Sequence, residues 1–261
     1  MGIFHWLITH VTPLFLVTSP LTSYGDQIHS MHRARSSAGF SLDIPLIMLV
    51  ASILKIFYWI GARYDSALLI QALVMIVVQV VLLYVALTHR PPPLHIHAPA
   101  GGAPSMLSAR PYNFWRWDDA RPYWLFIGYF AGALVALQVL LGTAPGYSAL
   151  LGYIALAIEA TLPLPQIMAN HQRKCCRGFR VSVLGNWLLG DTFKMVFFFA
   201  KGSADIPWAF KLCGVFQACC DSYLGVQYWM YGSGEMPVAA EESKGGVVWR
   251  EGGREAEWVG S

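Results

Sequence analysis

The sequence predicts an all-α polytopic membrane protein, with seven transmembrane helices in a 3+1+3 parallel-repeat arrangement. Three observations carry that expectation. Hydrophobic residues make up 56% of the 261 residues and charged residues only 13%, a balance suited to lipid and not to a water-soluble globule. Apolar stretches of membrane-crossing length recur along the chain between short polar ones, and 10 Trp, 12 Tyr and 14 Phe supply rings that settle where hydrocarbon meets headgroups. The first and last thirds of the chain also repeat one another.

Taken in order, the first apolar stretch covers residues 5–27. It reads as a retained span, because Met1–His10 has no basic region and residues 11–24 lack a clear small-residue cleavage pattern. Residues 40–60 and 66–88 complete a first three-helix unit, residues 1–88. A cytosolic connector follows at residues 89–121. It is made irregular by PPP at 91–93 and APAGGAP at 98–104, and its WRWDD at 115–119 is expected to rest at the membrane interface. Residues 122–142 form a lone linker helix. Spans at 147–168, 179–200 and 205–230 make the second unit, residues 143–230, and residues 231–261 form a flexible, acidic tail.

Fixed charges set an orientation. Arg33 and Arg35, then Arg90, Arg110, Arg116 and Arg121 against Asp118 and Asp119, then Arg173, Lys174, Arg177 and Arg180 lie in alternate loops and leave them strongly positive. The opposite loops hold Arg63 with Asp65 and Lys201 with Asp205, and are neutral. The excess of Lys and Arg predicts a lumenal N-terminus and a cytosolic C-terminus.

Gln27 and Gln166, Gly39-Phe40 and Gly178-Phe179, and Lys55 and Lys194 are each 139 residues apart without a gap. An odd connecting helix between two triplets restores the starting side, so both triplets run in the same direction about an axis along the membrane normal. The second copy carries PLPQ at 163–166, followed by a basic loop and the Gly178-Phe179 start of the next helix. These residues resemble the PQ-loop repeat family, related in architecture to the SWEET and cystinosin-like transporters. The first copy departs from the pattern, with Asp26-Gln27 in place of Pro-Gln, which puts a hinge in that half in doubt.

Chain lengths, the degenerate first motif and the segment GNWLLGDTFKMVFFF at 185–199 resemble a fungal, lipid-linked branch of that family found in Golgi and endosomal membranes, whose activity opposes phospholipid flippases. The resemblance implies an ATP-independent phospholipid scramblase of the late Golgi, trans-Golgi network and endosomes, acting on membrane phospholipids with flippases or sorting proteins as possible partners. Two other readings stay open. One is proton-coupled export of an amino acid or other small solute, and the other is a non-transporting scaffold for flippase or sorting partners.

Ionisable groups inside spans cost roughly 2.5 to 3.5 kcal/mol each at mid-bilayer, so those present need partners, water or headgroups. The candidates for a transport path are Asp191, Lys194, Asn186, Glu159, Asp221 and Lys55. Asp191 and Lys194 are spaced to share a helical face and can either guide a zwitterionic headgroup or form a packing ion pair. Lys55 matches Lys194 in the repeat, but Ser52 stands where Asp191 would be; it contacts headgroups or snorkels at the interface. Glu159 either couples a proton to movement or is held in fixed hydrogen bonds, and Asp221 carries the same ambiguity.

Gln27, Pro163, Pro165 and Gln166 form the hinge or motif set, since the prolines remove backbone donors near a helix end. Asp43 reads as a helix cap or a gate. Arg173, Lys174, Arg177 and Arg180 set topology and can attract anionic headgroups at about 1 kcal/mol each. Cys175-Cys176 suits a membrane-edge loop, as free thiols or as an acylation site. His29, His32, His95 and His97 form no closed zinc set with these cysteines. With no nucleotide-binding loop or hydrolytic triad, the sequence implies no enzyme, no cofactor, no metal and no nucleic-acid partner.

Overall fold

The computed structural model describes residues 11–37, 40–90, 114–115, 117–174, 176, 181–201 and 205–232. Among them the chain is helical and contains no strand: α1 is Thr12–Ala34, α2 Asp43–Ala62, α3 Ser66–Thr88, α4 Arg121–Leu141, α5 Tyr147–Ala160, α6 Leu164–Arg173, α7 Val181–Ala200 and α8 Trp208–Tyr231. α5 and α6 are two segments of one broken rod, so seven rods are seen among the described residues. The tail and most of the connector lie outside them.

Four rods are long and apolar enough to cross a membrane: α2, α3, α4 and the α5–α6 rod from Tyr147 to Gln172. α1, α7 and α8 are of similar length but are diluted by polar residues, among them Asp26, Asp191 with Lys194, and Lys211 with Asp221. The chain is therefore a multi-pass membrane protein whose polar groups are concentrated in particular helices.

Local chemistry explains most boundaries. Prolines occupy the first turns of α1, α4 and α6, where their missing N–H is not needed. Asp65 caps α3, accepting a 2.8 Å hydrogen bond from the Ala67 N–H. α1 runs on to Ala34, beyond the apolar stretch ending at 27, because His32 and Arg33 in its last turn complement the helix dipole. His29 and His32, beyond the expected end at 27, are thus on the helix. Asp43 corrects another expectation. The cap position is Leu42, without a side-chain cap bond, and Asp43 lies in the first turn with its own N–H donating to Ser41 Oγ at 3.3 Å.

Within the first half α1 packs on α3 and α3 on α2; within the second, α5 and α6 pack on α8 and α8 on α7. Across the halves, α2 lies against α5 and α1 against α7. Exchanging the halves leaves this pattern unchanged. α4 sits outside against α2 and exposes Tyr129, Val139 and Leu140.

One end of the bundle repeats in detail. Arg35 and Lys174, again 139 residues apart, both end their helices in the left-handed region, at φ 47° and 52°. Two residues later in each half a backbone N–H clasps the end of the third helix: Ser37 donates to the His89 carbonyl at 3.0 Å, and Cys176 to that of Gly232 at 3.2 Å. His32 Nδ1 lies 3.3 Å from His89 Nε2, and its repeat mate His171 places Nδ1 3.3 Å from the Tyr231 hydroxyl. At the opposite end the Asp65 N–H donates to the Asp205 carbonyl at 3.0 Å, while Lys201 pairs with the Asp65 carboxylate.

Trp115 differs from its expected interfacial position. It is buried with Leu49, Leu83 and Tyr123, and its Nε1 donates to the Leu42 carbonyl at 2.6 Å. A large ring whose N–H finds a carbonyl gains more from burial than from the interface. Nearby, Arg90 Nη1 donates to the Trp117 carbonyl at 2.6 Å, and the Tyr123 hydroxyl donates to the same oxygen at 3.1 Å.

Candidate functional site

α2 and α5 approach closely because Gly152 has no side chain; a Cβ there would lie 2.6 Å from the Tyr58 ring. That contact brings Lys55 Nζ to 2.8 Å from Glu159 Oε2. Lys55 is buried and Glu159 nearly so. Lys55 is therefore turned inward, and its expected snorkelling gives way to an ion pair between the two halves. The Tyr64 hydroxyl donates to the Lys55 carbonyl at 2.9 Å, and burial pushes its phenol pKa up, which keeps the donor proton in place.

Lys55 and Glu159 form one wall of a chamber between the halves, completed on its polar side by Gln71, Lys194 and Gln217. Its free volume of about 30 Å³ is room for little more than a water molecule. Lys194 Nζ is 3.5 Å from both Asp191 Oδ1 and Gln217 Oε1. Asp191 in turn is an electrostatic neighbour of Asp221 of α8. Both carboxyl groups are buried, and each has one oxygen without a hydrogen-bond partner among the described residues. Two carboxylates served by one lysine leave capacity for a proton or a cationic group.

The repeat is asymmetric at this point. Lys194 is the mate of Lys55, but the position matching Glu159 on α1 is Pro20, which cannot pair with a lysine. The α1–α7 contact is instead aromatic, with Phe15 and Phe193 ring centroids 4.5 Å apart.

The structure thus brings together Lys55, Glu159, Lys194, Asp191 and Asp221. It does not bring in Asn186, which is exposed on α7, or Asp43. Pro163 closes the break between α5 and α6 as the cap residue of α6 and Pro165 lies in the first turn of α6, while at the start of the break Thr161 Oγ1 donates to the Ile158 carbonyl at 2.8 Å. The break falls within the rod, and helix resumes as far as Arg173, past the expected end at 168. Gln166 Nε2 donates to Asn170 Oδ1 at 2.8 Å, and Gln227 of α8 reaches the Ile167 carbonyl at 3.1 Å. Gln27, its mate, is exposed. Lys174 is exposed, with its ammonium 5.3 Å from the Tyr231 ring centroid. Cys176 is buried, which is unsuited to acylation, while Cys175, Arg177 and Arg180 lie outside the described residues.

The buried amides Gln71, Gln79, Asn170 and Gln227, and the partly buried Gln217, were not singled out from sequence. An amide in an otherwise apolar helix needs an internal partner, so Gln71 and Gln79 within the α3 run were the available signal. His32 and His171 were likewise marked by the 139-residue offset.

Helical rods enclosing a charged chamber, four of them long and apolar enough to cross a membrane, define a polytopic membrane protein. Residues 147–206, which hold the PLPQ segment and the following Gly178-Phe179, match the model of the PQ loop repeat family. Over 277 aligned positions the chain is 29% identical to Scramblase ANY1 of Saccharomyces cerevisiae, covering 82% of this chain and 68% of the yeast protein.

Proposed function

We propose that the protein is an ATP-independent phospholipid scramblase, exchanging lipids between leaflets and opposing flippase-generated asymmetry in late Golgi and endosomal membranes. In this reading the seven rods all cross the bilayer in a 3+1+3 arrangement, with the N-terminus lumenal and the C-terminus cytosolic. The exchange-invariant helix packing and the clasp repeated at Ser37 and Cys176 support two similarly oriented triplets.

The observation that carries the function is the placement of Asp191, Lys194, Gln217 and Asp221 on α7 and α8, the two adjacent helices that also face outward through Leu189, Val196, Val215 and Tyr223. Charges of both signs near the surface of a helix pair can lower the cost of carrying a zwitterionic headgroup through hydrocarbon. The name of the yeast relative points the same way.

A second reading, proton-coupled solute export, is favoured by the position of Glu159 in a chamber between the halves. The two separate in one experiment. Purified protein in phosphatidylcholine vesicles carrying a fluorescent phospholipid should expose inner-leaflet label to an external quencher without ATP. Activity no greater than that of empty vesicles, with proton-dependent uptake of a solute, would replace the scramblase by the exporter. Replacing Asp191 and Lys194 together with apolar residues should slow exchange at matched protein density; unchanged exchange would remove the pair from the path.

A further inference from the structure

Met195 of α7 stands between two spaces. Inward lies the charged chamber, whose wall here is Gly214 and Gln217 of α8 beside Lys194. Outward lies a groove of about 480 Å³, open on the outer face of α8 and lined by Met195 with Val215, Ala218, Cys219, Ser222 and Tyr223, ending at Val226. These α8 positions recur every three or four residues and so make one stripe. At the rise of an α-helix the stripe is roughly 16 Å long, about half of a hydrocarbon core of roughly 30 Å.

The barrier between the two spaces is thin at this height. Gly214 offers no side chain, and the Met195 methyl takes that place: a Cβ on Gly214 would lie 2.6 Å from Met195 Cε. An unbranched thioether with three rotatable bonds can swing aside, and because the chamber behind it holds little more than a water molecule, α7 and α8 must part further for a headgroup to enter. Behind it are Lys194, an ammonium for a phosphate, and Asp191 with Asp221, carboxyl groups for an amine.

We infer that Met195 gates a lateral portal between α7 and α8, through which a phospholipid headgroup reaches Lys194 and the Asp191–Asp221 pair while its acyl chain stays in the α8 groove. The occupant is a phospholipid because the two spaces match its two parts in polarity and adjacency. A water-borne solute has no use for an opening on the lipid side. The portal rests on the scramblase reading and deepens it.

The test uses the full chain in phosphatidylcholine vesicles with fluorescent phosphatidylcholine, at equal protein density, with helicity and detergent-solution monodispersity checked for each variant. Met195→Ala removes the barrier and should speed exchange about threefold or more, whereas Met195→Ile, stiff at χ1, should slow it by a similar factor. Ala218→Trp fills the groove without touching the chamber and should slow exchange about fivefold. If the native chain exchanges lipid above the empty-vesicle rate and all three variants match it, the portal is overturned and the scramblase reading stands. If the native chain shows no exchange, both are overturned. Faster Met195→Ala with slower Met195→Ile and Ala218→Trp establishes the portal.

Discussion

The two halves place a lysine at the same point and use it differently. On the α2–α5 side Lys55 is neutralised by Glu159 at 2.8 Å, a contact from one half to the other. On the α1–α7 side Lys194 meets no carboxylate from the opposite half, because Pro20 occupies the matching position, and it falls back on Asp191 of its own helix at 3.5 Å. One seam is closed by a charge pair, and the other leaves a partly exposed ammonium available. Two positions one repeat offset apart can therefore differ in how their lysine is neutralised through the change of a single partner.

The largest effect is expected at the closed seam. Lys55→Met leaves Glu159 buried and unpaired and should lower stability by about 3 to 5 kcal/mol, read as a fall in thermal midpoint in detergent. Adding Glu159→Leu should recover most of the loss; a double variant as unstable as the single would show that the pair does not act as a unit.

Next, the open seam can be closed. Pro20→Glu should pair with Lys194 and exceed Pro20→Gln in stability by about 1 kcal/mol or more, while slowing lipid exchange. The Gln variant removes the contribution of losing proline from a helix. Equal stabilities for the two would break the equivalence of Glu159 and position 20.

Lys194→Met leaves Asp191 and Asp221 buried without their lysine and should also lower stability, by less than Lys55→Met because the two carboxyl groups can share a proton, yet slow exchange more than any stability loss explains. Equal stability losses at the two lysines would mean the seams are alike. The smallest effect concerns the clasps. The Ser37 hydroxyl also donates to the Ala86 carbonyl at 2.9 Å, so Ser37→Ala should cost about 1 kcal/mol. Cys176→Ala keeps the backbone bond to Gly232, so the loss measured there reads what the buried thiol itself contributes.

Much of this arrangement was legible in the sequence. The α3 boundaries at 66 and 88 match the apolar run, since that helix is apolar but for Gln71 and Gln79, starts at a capped turn and is followed by a proline run. The offset linking Lys55 to Lys194 was legible too, because it is a property of sequence. The pairing of Lys55 with Glu159 was not. Partner choice depends on the crosswise packing of α2 on α5, and nothing in a 139-residue period specifies a contact between positions 55 and 159. α1 was read short for another reason: its last turns are polar, and an apolar scan stops where helix propensity and terminal charges still continue the helix. Trp115 was misplaced because interfacial and buried tryptophans look alike until a carbonyl such as that of Leu42 is brought to the indole.

The bonds of Arg90 to Trp117 and of Trp115 to Leu42 fasten both ends of the long connector to the bundle. With both flanks held, lengthening the chain between them should cost only about 0.6 kcal/mol per doubling, and a reporter domain grafted between those flanks would ride on the protein as cargo.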